Sequence, residues 1–433
     1  MSYYRIEGRV RLSGTFTPAG NKNAALPIIA GCLLTDSEVR LSNVPDIHDV
    51  RILLELLGTL GVETRWTGPR ELTVRAADVA GPSVDPRLSS RIRASVLLAG
   101  PLLSRLGAVD LAPPGGDVIG RRRLDTHFLA LRALGGEVEI GDQYYLRTRG
   151  LVGADVFLDE PSVTGTENAI LAAVCATGTT TLRNAAAEPH VQDLCLFLCG
   201  LGARIDGIGT GNLTIEGVEK LSGGEHAISP DLIEIGSAIG LAAATGSALT
   251  IAGVQPAHFD PLRVGFGKLG IELEPHDYRV EVHGEGTLEI QPDVGDQLPK
   301  LDDGPWPAFP ADLISIALVV ATQCRGTILI HEKMFESRMF FVDKVIAMGA
   351  RVVLCDPHRA VVVGPSRLRG SRLESPDIRA GMAMLIAALA AEGTSEIHNI
   401  QQIERGYERI DERLRALGAE IRRYSEDGEP LDG

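Results

Sequence analysis

The sequence predicts an α+β protein of six related units, grouped three and three into two domains, and three observations carry that expectation. An apolar residue followed by glycine and an alternating run recurs as LGVETRW, LGGEVEI, LGARIDG, LGIELEP, MGARVVL and LGAEIRR, placing glycines at Gly61, Gly135, Gly202, Gly270, Gly349 and Gly418, 67 to 79 residues apart. Ahead of each stands an Ala/Leu-rich segment, a small-residue turn and a β-like run, such as NAALPIIAGCLLTDSEVRLSNV and IRAGMAMLIAALAAEGTSEIHNI. The chain has 433 residues, 44% of them hydrophobic and 4% aromatic, enough to bury more than one core.

Each element follows from its pattern. The Ala/Leu-rich segments are apolar nearly all round, as a helix enclosed by neighbours must be. The second helices, such as RILLELLGTLG and THFLALRALG, are amphipathic and belong outside; the recurring glycine is the residue just past the helix end, leading into a strand. A repeat this long is a domain-building unit rather than a solenoid turn. The fourth interval is lengthened by a Gly/Pro/Asp-rich loop, GDQLPKLDDGPWPAFP, and the crossover between domains is expected near residues 207–230.

Composition excludes several classes. A net charge of -15 and a pI near 5.2 disfavour nucleic acid and anionic membrane as partners. The sequence has neither a membrane-length apolar run nor a signal-peptide layout at MSYYRIEGRV, so a cytoplasmic protein is expected. Six cysteines sit mostly in apolar runs and read as reduced, buried thiols. Cys195 and Cys199 could share a face, but no ligand nearby completes a metal site, and neither metal nor cofactor is expected.

An acidic protein that binds an anion must concentrate its cations. Lys22, Arg93 and Arg379 open apolar helices, Arg121 to Arg123 precede THFLALRALG, Arg338 precedes FFVDKVIAMG, and Arg405 precedes YERIDERLRALG. Cations at helix starts oppose the helix dipole by tenths of a kcal/mol. Singly each reads as a solvated side chain; as a recurring set they read as a site for phosphate or carboxylate.

The motifs GNKNAALP (20–27), PPGGDVIGRRRLDTH (113–127), PSVTGTEN (161–168), FPAD (309–312), MFESRMFFVDK (334–344), DIRAG (377–381) and IERGYERI (403–410) stand in one order along nearly the whole chain. Together they resemble the UDP-N-acetylglucosamine 1-carboxyvinyltransferase family of EPSP synthase-like enolpyruvyl transferases. The resemblance implies a two-domain inside-out α/β barrel, three βαβαββ units per domain with pseudo-threefold symmetry. It divides the chain into residues 1–21 plus 231–433, and 22–230, with the active site in the cleft between.

The resemblance also implies roles. Lys22, Asn23, Arg122, Arg338, Arg379 and Arg405 would bind phosphoenolpyruvate. Arg93, Arg122, Arg123, Leu124, Asp125, Thr126, Ser162, Val163, Asp312 and Met334 would line the site for UDP-N-acetylglucosamine. Asp117 and Asp312 would move protons, with Lys22 and Arg405 also catalytic. Read without the resemblance, Asp312 is open to a second reading as an N-cap before LISIALVV and Asp117 to one as a residue of a glycine-rich turn; in register with the other motifs both are read as catalytic. Enolpyruvyl transfer suits these types, because it needs an acid for the methylene carbon, a base for the hydroxyl and cations for the phosphate.

The sequence departs from the family's commoner pattern at Asp117, where cysteine is usual, which implies insensitivity to fosfomycin. Departures also occur at Arg121, Arg123, Thr164, Gln402 and Glu404, of which Arg123 and Thr164 bear on the acceptor. The alternatives are transfer to another uridine nucleotide in secondary metabolism, transfer to a shikimate phosphate, which RRRLDTH argues against, and a noncatalytic UDP-sugar binder, which retention of Lys22, Asp117, Asp312 and Arg405 argues against. An RNA-end-processing enzyme is disfavoured by the pI.

Overall fold

A computed structural model describes residues 2–117 and 119–431. The chain divides into two compact units: residues 2–19, 119–121 and 230–431 form one, and residues 20–117 and 122–229 the other. Each has its own continuous hydrophobic core.

In the unit of residues 20–229, the helices Lys22–Gly31, Ala99–Leu106 and Val163–Ala173 are packed inside. Three sheets cover them. The first orders its strands Gly224–Ala227, Val39–Ser42, Glu71–Arg75 and Glu63–Gly68; the second has Ala108–Leu111, Tyr144–Arg147 and Glu137–Ile140; the third runs Arg204–Asp206, Asn212–Glu216, Thr179–Arg183 and Asp155–Phe157. Gly224–Ala227 lies parallel to Val39–Ser42, so the last strand of this unit completes its first sheet.

The other unit repeats the plan around helices Leu232–Thr245, Ile314–Ala321 and Ile378–Ala390, all in mutual contact. Its last sheet orders Arg372–Glu374, Thr394–His398, Ser2–Glu7 and Glu420–Ser425, with the N-terminal strand antiparallel to both neighbours. Strands alternate buried and exposed residues, as in Asn212–Glu216 and Arg279–His283, so helices are inside and sheets outside. This is the inside-out arrangement; among the described residues the six sheets are separate and none closes into a continuous barrel.

The six recurring glycines all have positive φ, from +79° at Gly270 to +107° at Gly349, a region where a Cβ is strained. Five directly follow the helix cap; Gly270 lies two residues beyond, because its helix ends at Gly267. The segment 295–310 is not wholly loop: Lys300–Asp302 forms a strand parallel to Gly326–His331. Among the cysteines, Cys355 is exposed, contrary to the buried reading, and no metal-binding group of three side chains exists among the described residues. No helix among the described residues is long and apolar enough to cross a membrane.

Candidate active site

In the unit of residues 20–229, Asn21 caps the first buried helix, its side chain accepting from the backbone N–H of Asn23 and Ala24. This sets Lys22 at the helix start, where its Nζ lies 2.7 Å from Asp49 Oδ2, with both side chains buried. Asn23 beside it is half-buried.

Arg93 opens the second inner segment and donates from Nη2 to the carbonyls of Arg122 (2.8 Å) and Arg123 (3.1 Å), fixing the backbone of the arginine run. Burial first, then the charge of Arg122, pushes Arg93 down to about 10. Its Nε is buried with no acceptor among the described residues. Gly116 approaches so closely that a Cβ there would meet Arg93 Cβ at 3.0 Å, and its φ is +106°. Asp117 follows at once.

Leu124 is buried as the cap of helix Asp125–Ala133, and Asp125 stands exposed in the first turn. Thr126 donates to Asp159 at 2.6 Å, and the Arg123 guanidinium reaches Asp159 and Glu160. Ser162 caps helix Val163–Ala173 by accepting from Gly165 N–H, with Val163 as its first residue. Under these residues runs a buried relay. Asn168 accepts from Gly100 N–H through Oδ1 and donates through Nδ2 to the Val96 carbonyl and to His127 Nδ1 at 2.9 Å. His127 therefore carries its proton on Nε2 and donates to Thr164 Oγ1 at 3.0 Å. Burial, then Arg93, pushes His127 down to about 3, which keeps it neutral.

In the other unit, Asp312 lies inside the short helical turn Ala311–Leu313, whose cap position is Pro310, so Asp312 does not hold the N-cap position. Its carboxylate instead accepts from Arg338 Nη2 at 2.5 Å and Arg379 Nε at 2.9 Å. Asp377 caps helix Ile378–Ala390 by accepting from Arg379 and Ala380 N–H, which fixes Arg379 at the helix start. Its guanidinium lies 5.3 Å from the Tyr407 ring centroid, and the Tyr407 hydroxyl is 2.9 Å from Ser237 Oγ. Arg338 Nε and Arg379 Nη1 are buried and find no acceptor among the described residues. Arg405 does not open a helix: it caps the end of Gln401–Glu404, where cations are favoured, and donates to Gln402 Oε1 at 3.0 Å. Met334 is partly exposed just ahead of Arg338.

The model of the family described as EPSP synthase (3-phosphoshikimate 1-carboxyvinyltransferase) matches residues 6–414. Proteins named UDP-N-acetylglucosamine 1-carboxyvinyltransferase are 60% identical in Bradyrhizobium diazoefficiens, over 98% of both chains, and 54% identical in Treponema denticola, over 97% of this chain and 99% of that one. The chain is a UDP-N-acetylglucosamine 1-carboxyvinyltransferase-type member of the EPSP synthase family. Among solved structures, the enolpyruvyl transferase NikO from Streptomyces tendae superposes with TM-score 0.86 at 24% identity over 98% of both chains, and EPSP synthase from Acinetobacter baumannii with 0.76 at 16%, over 98% of this chain and 100% of that one. At those identities they speak for the fold.

In this carboxyvinyltransferase the structure gathers Arg338 and Arg379 on Asp312, and Arg122 and Arg123 on Arg93. Reading residues one at a time missed their supports: Asp49 under Lys22, Asn168 and His127 under Thr164, Asp159 beside Thr126, and Gln402 on Arg405. The signal for Asn168 and His127 was present, since both lie in quoted motifs and are polar residues in otherwise apolar helical surroundings.

Proposed function

We propose that this chain transfers the enolpyruvyl group of phosphoenolpyruvate to the 3-hydroxyl of UDP-N-acetylglucosamine, releasing phosphate, in the first committed step of peptidoglycan precursor synthesis. The observation that carries the reading is the pair of buried guanidinium donors, Arg338 Nε and Arg379 Nη1, left without an acceptor among the described residues beside the carboxylate of Asp312. Buried donors of this kind are costly unless an acceptor arrives, and an oxyanion supplies one.

The roles follow from the chemistry. Asp312 accepts the proton of the sugar hydroxyl as that oxygen bonds to C2 of phosphoenolpyruvate, while Asp117 delivers a proton to the methylene carbon C3. In the second step a proton leaves C3, the bond from C2 to the phosphate oxygen breaks, and the enol ether double bond forms. Lys22, Asn23, Arg122, Arg338, Arg379 and Arg405 hold the phosphate and carboxylate and stabilise the departing charge. Arg93, Arg122, Arg123, Leu124, Asp125, Thr126, Ser162, Val163 and Met334 receive the nucleotide sugar, with Asp312 at its reacting hydroxyl. No metal is required by this set, and the cytoplasm is the compartment that fits a peptidoglycan precursor enzyme.

Phosphate release from phosphoenolpyruvate, measured against a panel of UDP-sugars and non-uridine acceptors, tests the assignment. Turnover is expected with UDP-N-acetylglucosamine. Equal turnover with a non-uridine acceptor overturns it, and preference for another uridine nucleotide supports the secondary-metabolism reading.

A further inference from the structure

Asp303 and Glu332 are carboxyl groups that the reaction above does not use, and both are buried, at 1% and 0% exposure. They directly follow the parallel strands Lys300–Asp302 and Gly326–His331, whose register pairs Asp302 with His331, so the sheet itself sets them side by side. Asp303 Oδ1 accepts from Lys333 N–H, and Glu332 Oε1 accepts from the N–H groups of Met334 (3.2 Å) and Phe335 (3.1 Å). The other two oxygens, Asp303 Oδ2 and Glu332 Oε2, have no donor among the described residues. Two buried carboxylates cannot both stay ionised in contact, and one proton between them satisfies both orphaned oxygens.

We propose that Asp303 and Glu332 are a proton-sharing carboxyl pair that positions the segment 333–338, and through it Arg338 and Met334, for the substrates. This rests on the proposed function. The pair ties down three consecutive N–H groups, of Lys333, Met334 and Phe335. The Arg338 guanidinium in turn lies 4.8 Å from the Phe335 ring centroid and reaches Asp312. Burial, then the hydrogen bond and charge of Asp303, pushes Glu332 up to about 9, opposed by Arg338. The other groups around the pair are already engaged: His358 Nδ1 is 2.8 Å from the Glu332 carbonyl, and Lys300 and Lys333 are paired with Asp302. His331 on the neighbouring strand is held below its usual range mainly by burial.

Loss of the shared proton near pH 9 leaves two negative charges that repel, freeing the segment. The unaltered protein should therefore show the KM for phosphoenolpyruvate rising above pH 9, with kcat little changed. Glu332→Ala should raise that KM about tenfold at neutral pH, the scale of one positioned hydrogen-bonding group. Glu332→Gln, whose amide hydrogen replaces the shared proton, should rescue the KM and abolish its alkaline rise. The infrared spectrum at neutral pH should contain a protonated-carboxyl band that Glu332→Gln removes, a readout that needs no turnover. Absence of that band, or an alkaline rise unchanged in Glu332→Gln, overturns the proposal. If Glu332→Ala does not fold, Glu332→Gln and the band still decide. An unaltered protein that releases no phosphate sinks the functional reading instead, leaving the infrared result to judge the pair.

Discussion

Lys22 Nζ and Asp49 Oδ2 lie 2.7 Å apart, in a pair whose side chains are 9% and 5% exposed. Removing one member of a buried ion pair typically costs about 3–5 kcal/mol, because the buried charge of the other loses its compensation by that member. Lys22→Ala should lower stability by that order and abolish turnover. The double variant Lys22→Ala/Asp49→Ala should recover much of the stability and none of the turnover, read by denaturant unfolding beside phosphate release. Recovered turnover would remove Lys22 from the chemistry.

Arg405 is the second test, and its partner is a departure from the common family pattern, Gln402 at 3.0 Å. Losing one donor that stabilises developing anionic charge is worth about 10²–10³ in rate, so Arg405→Ala should lower kcat by that factor with little change in Tm. Gln402→Ala should have a smaller effect, chiefly on the KM for phosphoenolpyruvate. Full activity of Arg405→Ala would make Arg405 idle.

How much of this was legible depends on how local each determinant is. The six glycines were legible because a helix that turns back into a strand needs a positive φ at one position, and only sequence neighbours decide that. The helices were legible from their all-round apolarity. Partners such as Asp49 for Lys22, Asp303 for Glu332 and Asn168 for His127 were not, because each pair is closed by tertiary packing across 27 to 41 residues of chain. The N-cap alternative for Asp312 stayed open for the same reason: its partners Arg338 and Arg379 are remote in sequence.

His127 supplies a pH test. Its proton affinity is depressed in the folded state, from 6.5 to about 3, so its contribution to stability is fully present above about pH 6.5 and lost as pH falls toward 3. Protonation at Nδ1 would set a cation against the Asn168 amide. Unfolding free energy measured at pH 7, 5 and 4 should fall less steeply for His127→Gln than for the unaltered protein. Identical slopes would mean that His127 does not titrate in this window.

Asp117 follows the tightly approached Gly116. A carboxylate is a far weaker nucleophile than a thiolate toward an epoxide, so fosfomycin should neither label nor inhibit the unaltered protein. Asp117→Asn should abolish turnover while keeping UDP-sugar binding, measured calorimetrically. Asp117→Cys should retain activity and become covalently labelled, visible by mass spectrometry. Full activity of Asp117→Asn would remove this residue from the mechanism.

The place of strand Ser2–Glu7 between Thr394–His398 and Glu420–Ser425 bears on how the chain is born. That strand is synthesised long before either neighbour, so it waits through the making of the residues between with both edges unpaired. Residues 20–229 supply every strand of their own three sheets and can close them while translation continues. The early strand is then a waiting piece, open to misplaced strand pairing until Thr394–His398 and Glu420–Ser425 arrive to flank it.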